Sequence, residues 1–360
     1  MGLWPATLHE NGLGFCNSFV FNRDIGYFHG SEESRSECGS DYKILRRLRL
    51  LRMTGTRAFS ATCRLRQVLL PTQNSFFNHI TIIGLGLMGG SWGLALRKRG
   101  FPGTLVGCDR PEVLSRALAA RAIDEGAEDP AQAARDADLV ILAAPVGAIL
   151  DLLPRLKRAL SARALVTDVG STKRLICERA REAFGDAPLF LGGHPLAGKE
   201  LSGFESADAS LFENARYALT PLSPDHLADE RVKAFSALVE AVGGRPFLSD
   251  ASHHDRAVAY LSHLPQLLST ALSSLIAEQS SEDFLPLELA ASGFRDVTRL
   301  AESPYAVWRD ICLTNIENIQ SALELLIEKL ESVKLHLSDR ELEREFKQAL
   351  KLRERLRKLK

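Results

Sequence analysis

Residues 79–90, HITIIGLGLMGG, constrain this chain more than any other stretch. The apolar run Ile80 to Ile83 stops at Gly84-Leu85-Gly86-Leu87-Met88-Gly89, and an amphipathic run, Ser91 to Arg99, comes at once after it. That order is strand, tight glycine turn and helix, the arrangement that receives a dinucleotide pyrophosphate. Gly84 permits the sharp turn, Gly86 lets backbone approach the phosphates, and Gly89 lets helix and strand pack closely. The helix N-terminus adds free N–H groups and a partial positive charge. Nucleotide contacts are therefore expected at Gly84, Gly86, Leu87, Met88 and Gly89. A second strand, Thr104 to Cys108, ends in Asp109, 25 residues after Gly84. A carboxylate there accepts both hydroxyls of an adenosine ribose and repels a 2′-phosphate, so NAD is expected over NADP. Arg110 pulls the other way, because a neighbouring guanidinium can meet a 2′-phosphate. The plain alternative is a glycine turn that binds nothing; the flanking strand, helix and acid argue against it.

From His79 onward strand and helix signals alternate. Leu139 to Ala143 reads as a buried strand ending at Ala144-Pro145, which are also placed against the cofactor. Leu165–Val169, Leu189–Leu191 and Tyr217–Thr220 read as further strands, with helices over 147–160 and 172–184. Such alternation implies an α/β fold, a Rossmann-type doubly wound parallel sheet with helices on both faces. Ligands of such sheets sit at the carboxyl ends of the strands. Gly84, Asp109, Ala144, Ser171 and His194 all follow strand ends. After Gly243-Gly244 and Pro246-Phe247-Leu248 strand signals cease, and long helices are expected over roughly 252–279, 304–335 and 338–359. The expected organisation is an N-terminal extension at 1–77, an NAD-binding domain at 78–245 and an all-helical substrate and dimerisation domain at 246–360. The last helix repeats Leu342, Phe346, Ala349, Leu352, Leu356 and Leu359 at three- and four-residue steps, the pattern of a packing or dimer helix.

Residues 1–77 lack periodicity and carry the basic run Lys43 to Arg52. They read as a disordered extension or as a start codon placed too far upstream, with Met53 an internal alternative. Glu10, Glu32, Glu33 and Asp41 argue against a transit peptide. Lys plus Arg (45) balance Asp plus Glu (45), so no global field attracts nucleic acid or an anionic membrane. The longest apolar stretch, Leu139 to Leu150, contains Pro145 and falls short of the roughly 20 residues of a membrane span. The six cysteines are scattered without a CxxC pair, which implies a reduced, cytoplasmic protein. No metal is expected: His253 and His254 diverge by about 100° on a helix, and no third ligand is evident.

Four further segments stand out: 168–173 (DVGSTK), 193–200 (GHPLAGKE), 262–266 (SHLPQ) and 293–299 (GFRDVTR). His194, at a strand's carboxyl end, suits a proton acceptor, because neutral imidazole lies near its intrinsic pKa. Ser171 either orients that imidazole or caps the next helix. Arg295 and Arg299 share a helical face and offer forks for a carboxylate; the alternative is an ion pair with Asp296 or Glu302. Asp255, Ser262 and Gln266 step by seven and four, placing them on one face, with Ser262 and Gln266 reaching into a cleft. His254, Asp255 and His263 read as a polar network between domains.

With the glycine turn, these motifs stand in the same order as in the prephenate/arogenate dehydrogenase family of tyrosine biosynthesis, which the chain resembles from about 79 to 330. The resemblance implies oxidative decarboxylation of a cyclohexadienol. Hydride passes to NAD, the opposite ring carbon loses carbon dioxide, and the ring becomes aromatic. It also implies that His194 contacts the substrate hydroxyl, that Ser171 assists it, that Arg299 holds a substrate carboxylate, and that the protein is a homodimer. Where many members have a second histidine, this chain has Gln266, which cannot become cationic but can accept from an ammonium group. Lys199 would suit the keto acid prephenate and Glu200 the ammonium of arogenate, so both substrates stand open. The residues beyond Leu330 are too few for a regulatory amino-acid-binding domain, and 1–77 do not read as a chorismate mutase. A monofunctional enzyme is expected, with any tyrosine feedback acting by competition at the active site. A β-hydroxyacid or imine reductase would need a lysine on the helix at 252–279, which has none. A non-catalytic NAD-sensing interaction protein would have no use for His194, Ser171 and Arg299 together.

Overall fold

The computed structural model describes residues 76–199, 201–280 and 287–358. The expected extension, its basic run and Met53 lie outside the described residues, apart from exposed Phe76 and buried Phe77. The first half runs β1 (His79–Ile83), α1 (Leu87–Lys98), β2 (Thr104–Cys108), α2 (Pro111–Ala119), β3 (Glu125–Ala127), α3 (Pro130–Ala133), β4 (Leu139–Leu142), α4 (Val146–Leu156), β5 (Leu165–Asp168), α5 (Arg174–Phe184), β6 (Leu189–Pro195), β7 (Arg216–Pro221), α6 (Glu230–Ala241) and β8 (Arg245–Leu248). These strands form one eight-stranded sheet in the order β3-β2-β1-β4-β5-β6-β7-β8.

The sheet alternates its core side chains between two faces. Ile80, Ile82, Leu139 and Ile141 join the cluster around Trp92, whereas Ile83, Val140 and Leu142 join the cluster around Ile149 and Phe190. Burial on both sides is why these strands read as continuous apolar runs. Trp92 of α1 is fully buried, with ring centroids of Phe212, Phe235 and Tyr217 at 5.1, 5.9 and 6.1 Å. β3 is a short Glu-Gly-Ala edge strand with no apolar run to announce it.

Strands β1 to β6 are parallel, but β7 pairs antiparallel to β6, with Pro195 opposite Tyr217. The parallel sheet expected from the alternation is present, with one antiparallel pair at this edge. The described residues between β6 and β7 form only the one-turn helix Phe204–Ser206. The chain enters β7 at the edge where β6 ends instead of crossing back. β8 pairs parallel to β7, so the sheet runs to Leu248, three residues past the expected boundary at 245.

The helical half comprises α7 (Ala251–Val258), a π-turn (Ala259–His263), α8 (Leu264–Ser280), α9 (Ser292–Thr298), a 3₁₀ turn (Arg299–Glu302), α10 (Tyr305–Thr314), α11 (Ile316–Leu335) and α12 (Arg340–Lys358). The π-turn breaks the helix expected over 252–279 and shifts the register of α8. Asp255 and Gln266 are buried while Ser262 is exposed, so the shared face expected for these three does not form. The helix expected over 304–335 is likewise broken, at Asn315. Asn315 donates from Nδ2 to the carbonyl of Asp255 at 2.8 Å and lies 3.2 Å from Nδ1 of His263. Among the described residues no helix is long and apolar enough to cross a membrane, and Cys108, Cys177 and Cys312 are free thiols.

Candidate active site

The chain leaves β1 for β2 and β3, then returns to β4 on the other side of β1. Ligands bind at such a switch point. A cleft of about 510 Å³ opens there, lined by Gly84, Gly86, Asp109, Arg110, Ala144 and Pro145 among others. Gly84 has φ +93°, and a Cβ there would lie 2.5 Å from the carbonyl oxygen of Ala143. A Cβ on Gly89 would lie 1.8 Å from the carbonyl oxygen of Gly84, so helix and turn touch only because residue 89 is glycine. At Gly86 a Cβ would meet nothing within 4 Å, so the open space beside it is the cleft itself.

Gly86 is the N-cap of α1, with no side-chain cap and no acid in the first turn. The first N–H groups of α1 thus stay available to an anion. Asp109 closes the far end. Its carboxylate accepts the backbone N–H of Leu85 at 2.7 Å and of Arg110 at 2.8 Å, while the Arg110 side chain is 82% exposed. These residues fit a dinucleotide pyrophosphate and an adenosine ribose. Burial, aided by Asp109 and Asp129, pushes the Cys108 thiol up to about 11, so this cleft cysteine is no thiolate nucleophile.

Further along the same rim stand Ser171, after β5, and His194, near the end of β6. The connection between them is a buried ion pair. Lys173 and Asp168 are both fully buried; the Lys173 ammonium contacts Asp168 and donates to the Gly193 carbonyl at 2.6 Å. Asp168 also accepts the backbone N–H of Gly170 at 2.8 Å and of Gly193 at 3.1 Å. One carboxylate therefore anchors the Ser171 loop and the strand carrying His194. Sequence reasoning assigned no role to either charge. The signal was present: an acid closing an apolar strand, with a lysine five residues on.

His194 makes its side-chain contact with the helical half. Its Nδ1 lies 2.9 Å from Nε2 of His254, whose own Nδ1 lies 2.8 Å from the Asp255 carboxylate. Among the described residues Nε2 of His194 has no protein partner. Burial holds the imidazole pKa well below its ordinary value, and His254, Lys173 and His263 add to the effect. The neutral form is the basic form. If His194 is the base, the acid limb of kcat/KM for the free enzyme should therefore fall below pH 6.5, the unshifted value. A limb at or above that value in a pH–rate profile would mean that another group takes the proton.

Ser171 is half-buried and caps nothing. Capping of α5 comes from outside the segment: Asp255 accepts the backbone N–H of Lys173 at 2.6 Å and of Arg174 at 2.8 Å. Neighbouring Thr172 bonds instead to Thr314 at 2.8 Å, and Asp310 accepts the N–H of Gly147, at the start of α4, at 2.9 Å. Helices α7 and α10 are thus tied to the two strand-end loops of the cofactor domain.

Arg295 and Arg299 are exposed on α9 and the turn after it; Arg295 donates to the Ala290 carbonyl at 3.4 Å. Gln266 is buried and donates from Nε2 to the Leu300 carbonyl at 2.7 Å, so it braces the Arg299 turn from beneath. Ser262 faces solvent. Lys199 pairs with Asp208 at 2.9 Å, and Glu200 lies outside the described residues.

The family model "prephenate dehydrogenase, nucleotide-binding domain" matches residues 92–248, and "prephenate dehydrogenase, dimerization domain" matches 250–352. A prephenate dehydrogenase of Lactococcus lactis is 36% identical over 262 residues, 72% of this chain and 69% of that one. The structure of the A. aeolicus prephenate dehydrogenase, solved with hydroxyphenyl propionate and NAD+, superposes with a TM-score of 0.69 at 33% identity, over 78% of this chain and 97% of that one. The arogenate dehydrogenase of Synechocystis gives 0.65 at 32% identity, over 77% and 99%.

Proposed function

The chain belongs to the prephenate dehydrogenase family, and from that premise we propose that His194 and Arg299 act on one substrate held beside NAD in the cleft between sheet and helices. The protein is an NAD-dependent oxidoreductase of tyrosine biosynthesis that oxidatively decarboxylates prephenate, arogenate or both. Bound NAD supplies the hydride acceptor, at the crevice formed by Gly84, Gly86, Leu87, Met88, Gly89, Asp109, Arg110, Ala144 and Pro145. His194 takes the hydroxyl proton at Nε2 as the hydride leaves the same carbon. Ser171 hydrogen-bonds the same hydroxyl. Arg299 holds a carboxylate, with Arg295 beside it.

The observation that carries this reading is His194 itself: a neutral imidazole with one nitrogen held by the protein and the other left over, on the strand-end rim that also bears the glycine turn. Electrostatics at the His194 end disfavour a resting cation there; the carboxylate-holding charge comes from the helical half. Gln266 serves here by bracing the Arg299 turn. Ser262 and Glu200 are further candidates for the substrate end, Ser262 from the exposed side of the π-turn. Mixing protein, NAD and prephenate or arogenate, and following NADH absorbance, tests the reading; silence with both substrates would sink it.

Arg299→Ala should reduce kcat/KM roughly ten- to a hundredfold, about 1.5–3 kcal/mol for a hydrogen bond to a charged group. Steady-state kinetics check this, and an undiminished kcat/KM would make Arg299 structural. The protein further reads as a cytoplasmic homodimer. Leu313, Leu325, Leu330, Leu335 and Phe346 of α10, α11 and α12 are each more than half exposed in the single chain, an apolar surface that a second copy of the helical half would cover.

A further inference from the structure

His194, His254 and Asp255 form one unbroken chain of contacts, and it runs away from the rim into the protein. The first step is 2.9 Å from Nδ1 of His194 to Nε2 of His254, and the second is 2.8 Å from Nδ1 of His254 to the Asp255 carboxylate. His254 is 4% exposed and Asp255 fully buried. A buried carboxylate accepts hydrogen bonds and does not donate them, so Nδ1 of His254 carries a proton and Nε2 of His254 is an acceptor. Nδ1 of His194 must then be the donor, which leaves Nε2 of His194 with a free lone pair. The tautomer a base requires is set from the far end of the chain.

We propose that His254 and Asp255 are a proton-accepting relay behind His194, positioning residues that move the charge generated by catalysis off the imidazole beside the nicotinamide. The proposal rests on the reading of His194 as the base. The substrate hydroxyl proton goes to Nε2 of His194. The proton on Nδ1 of His194 passes to Nε2 of His254. His194 ends neutral as the other tautomer, and His254 becomes an imidazolium against the Asp255 carboxylate. The substrate gives up a hydride and loses its ring carboxylate as carbon dioxide, whose bonding pair passes through the ring to the oxygen as a phenolate, while the positive charge in the protein rests at the His254–Asp255 pair. Nε2 of His194 then returns its proton to the phenolate oxygen, the Nδ1 proton comes back from His254, and the phenol leaves with no net proton released.

The surroundings favour the far site. His194 is faced by Lys173 from the β5–α5 loop, by His263 from the π-turn and by His254 from α7, all of which oppose a second positive charge on it. Asp255 faces His254 directly, and it also accepts the N–H groups of Lys173 and Arg174 at the start of α5, so every group bonded to it is a donor. The π-turn places buried His263 on the same side, with Nε2 unpartnered, so it supplies no competing acceptor bond to His194.

The test compares wild type, His254→Gln and His194→Asn with NAD and prephenate. Glutamine can still accept from Nδ1 of His194, so the tautomer survives, but it cannot take the proton. For His254→Gln we expect kcat to fall about 10–100-fold with NAD affinity unchanged. The acid limb should move to higher pH, because His254, one of the groups lowering the His194 pKa, is gone. In mixtures of light and heavy water the wild-type rate should trace a bowed curve, two protons moving together, and the variant a straight line. A straight wild-type line, or a variant with wild-type kcat and limb, overturns the relay. If His194→Asn is inactive while His254→Gln behaves as wild type, the relay alone is lost; if His194→Asn keeps full turnover, the underlying reading of His194 fails. Should His254→Gln not fold, the wild-type isotope curve decides by itself.

Discussion

His194→Asn is expected to lower kcat by about 10²–10⁴-fold, the usual worth of a positioned general base, while NAD binds nearly as before. The two effects separate because the two functions sit at different strand ends. The cofactor crevice is built from backbone at Gly84, Gly86 and Gly89 and from Asp109, none of which touches His194. Asparagine is smaller than histidine, and its amide can donate toward Nε2 of His254 as Nδ1 does now. The packing of β6 against α7 should therefore survive. What asparagine lacks is a basic nitrogen. Titration of NAD by quenching of protein fluorescence, alongside steady-state kinetics, separates binding from chemistry. Equal losses in both would mean that the substitution had disturbed the rim rather than the proton transfer.

Lys173→Met should destabilise the protein by about 3–5 kcal/mol, the penalty for breaking a buried pair by removing one partner. Methionine fills the lysine stem but leaves the Asp168 carboxylate fully buried, with only the N–H groups of Gly170 and Gly193 to satisfy it. At roughly 2–4 °C per kcal/mol for domains of this size, Tm should fall by about 6–20 °C. Adding Asp168→Leu should recover much of the loss, because an apolar pair of similar volume is often no worse than a buried ion pair. A Tm within about 2 °C of wild type for the single variant would show that Asp168 does not need the ammonium. Activity should suffer as well, since the same pair ties the Ser171 loop to Gly193, the neighbour of His194.

The features legible in the sequence had short-range causes. The turn 84–89 declares itself because strand, glycines and helix are contiguous, and Gly84 and Gly89 each meet a local steric demand. The helical half declares itself through spacing. Boundaries and faces were harder. The π-turn at Ala259–His263 inserts a single residue, enough to turn Ser262 outward while Asp255 and Gln266 stay buried. β7 looked like any other strand, because antiparallel direction is decided by where the preceding loop leaves the chain. Lys173 was recognisable only through its spacing from Asp168 at the end of an apolar strand, since a lysine alone reads the same whether it is solvated or paired in a core.

By itself the sequence determined the cofactor fold, the rim that gathers the reactive side chains and the candidate base, His194. Only the tertiary structure decided what stands behind that base. Asp255 caps a helix that begins 81 residues before it, His254 meets a histidine 60 residues away, and Asp310 closes a helix start 163 residues earlier. Contacts at that separation leave no periodicity or spacing in the chain. They exist because packing the helical half against the strand ends buries polar groups, and Asp255, His254 and Asp310 find their partners across that junction.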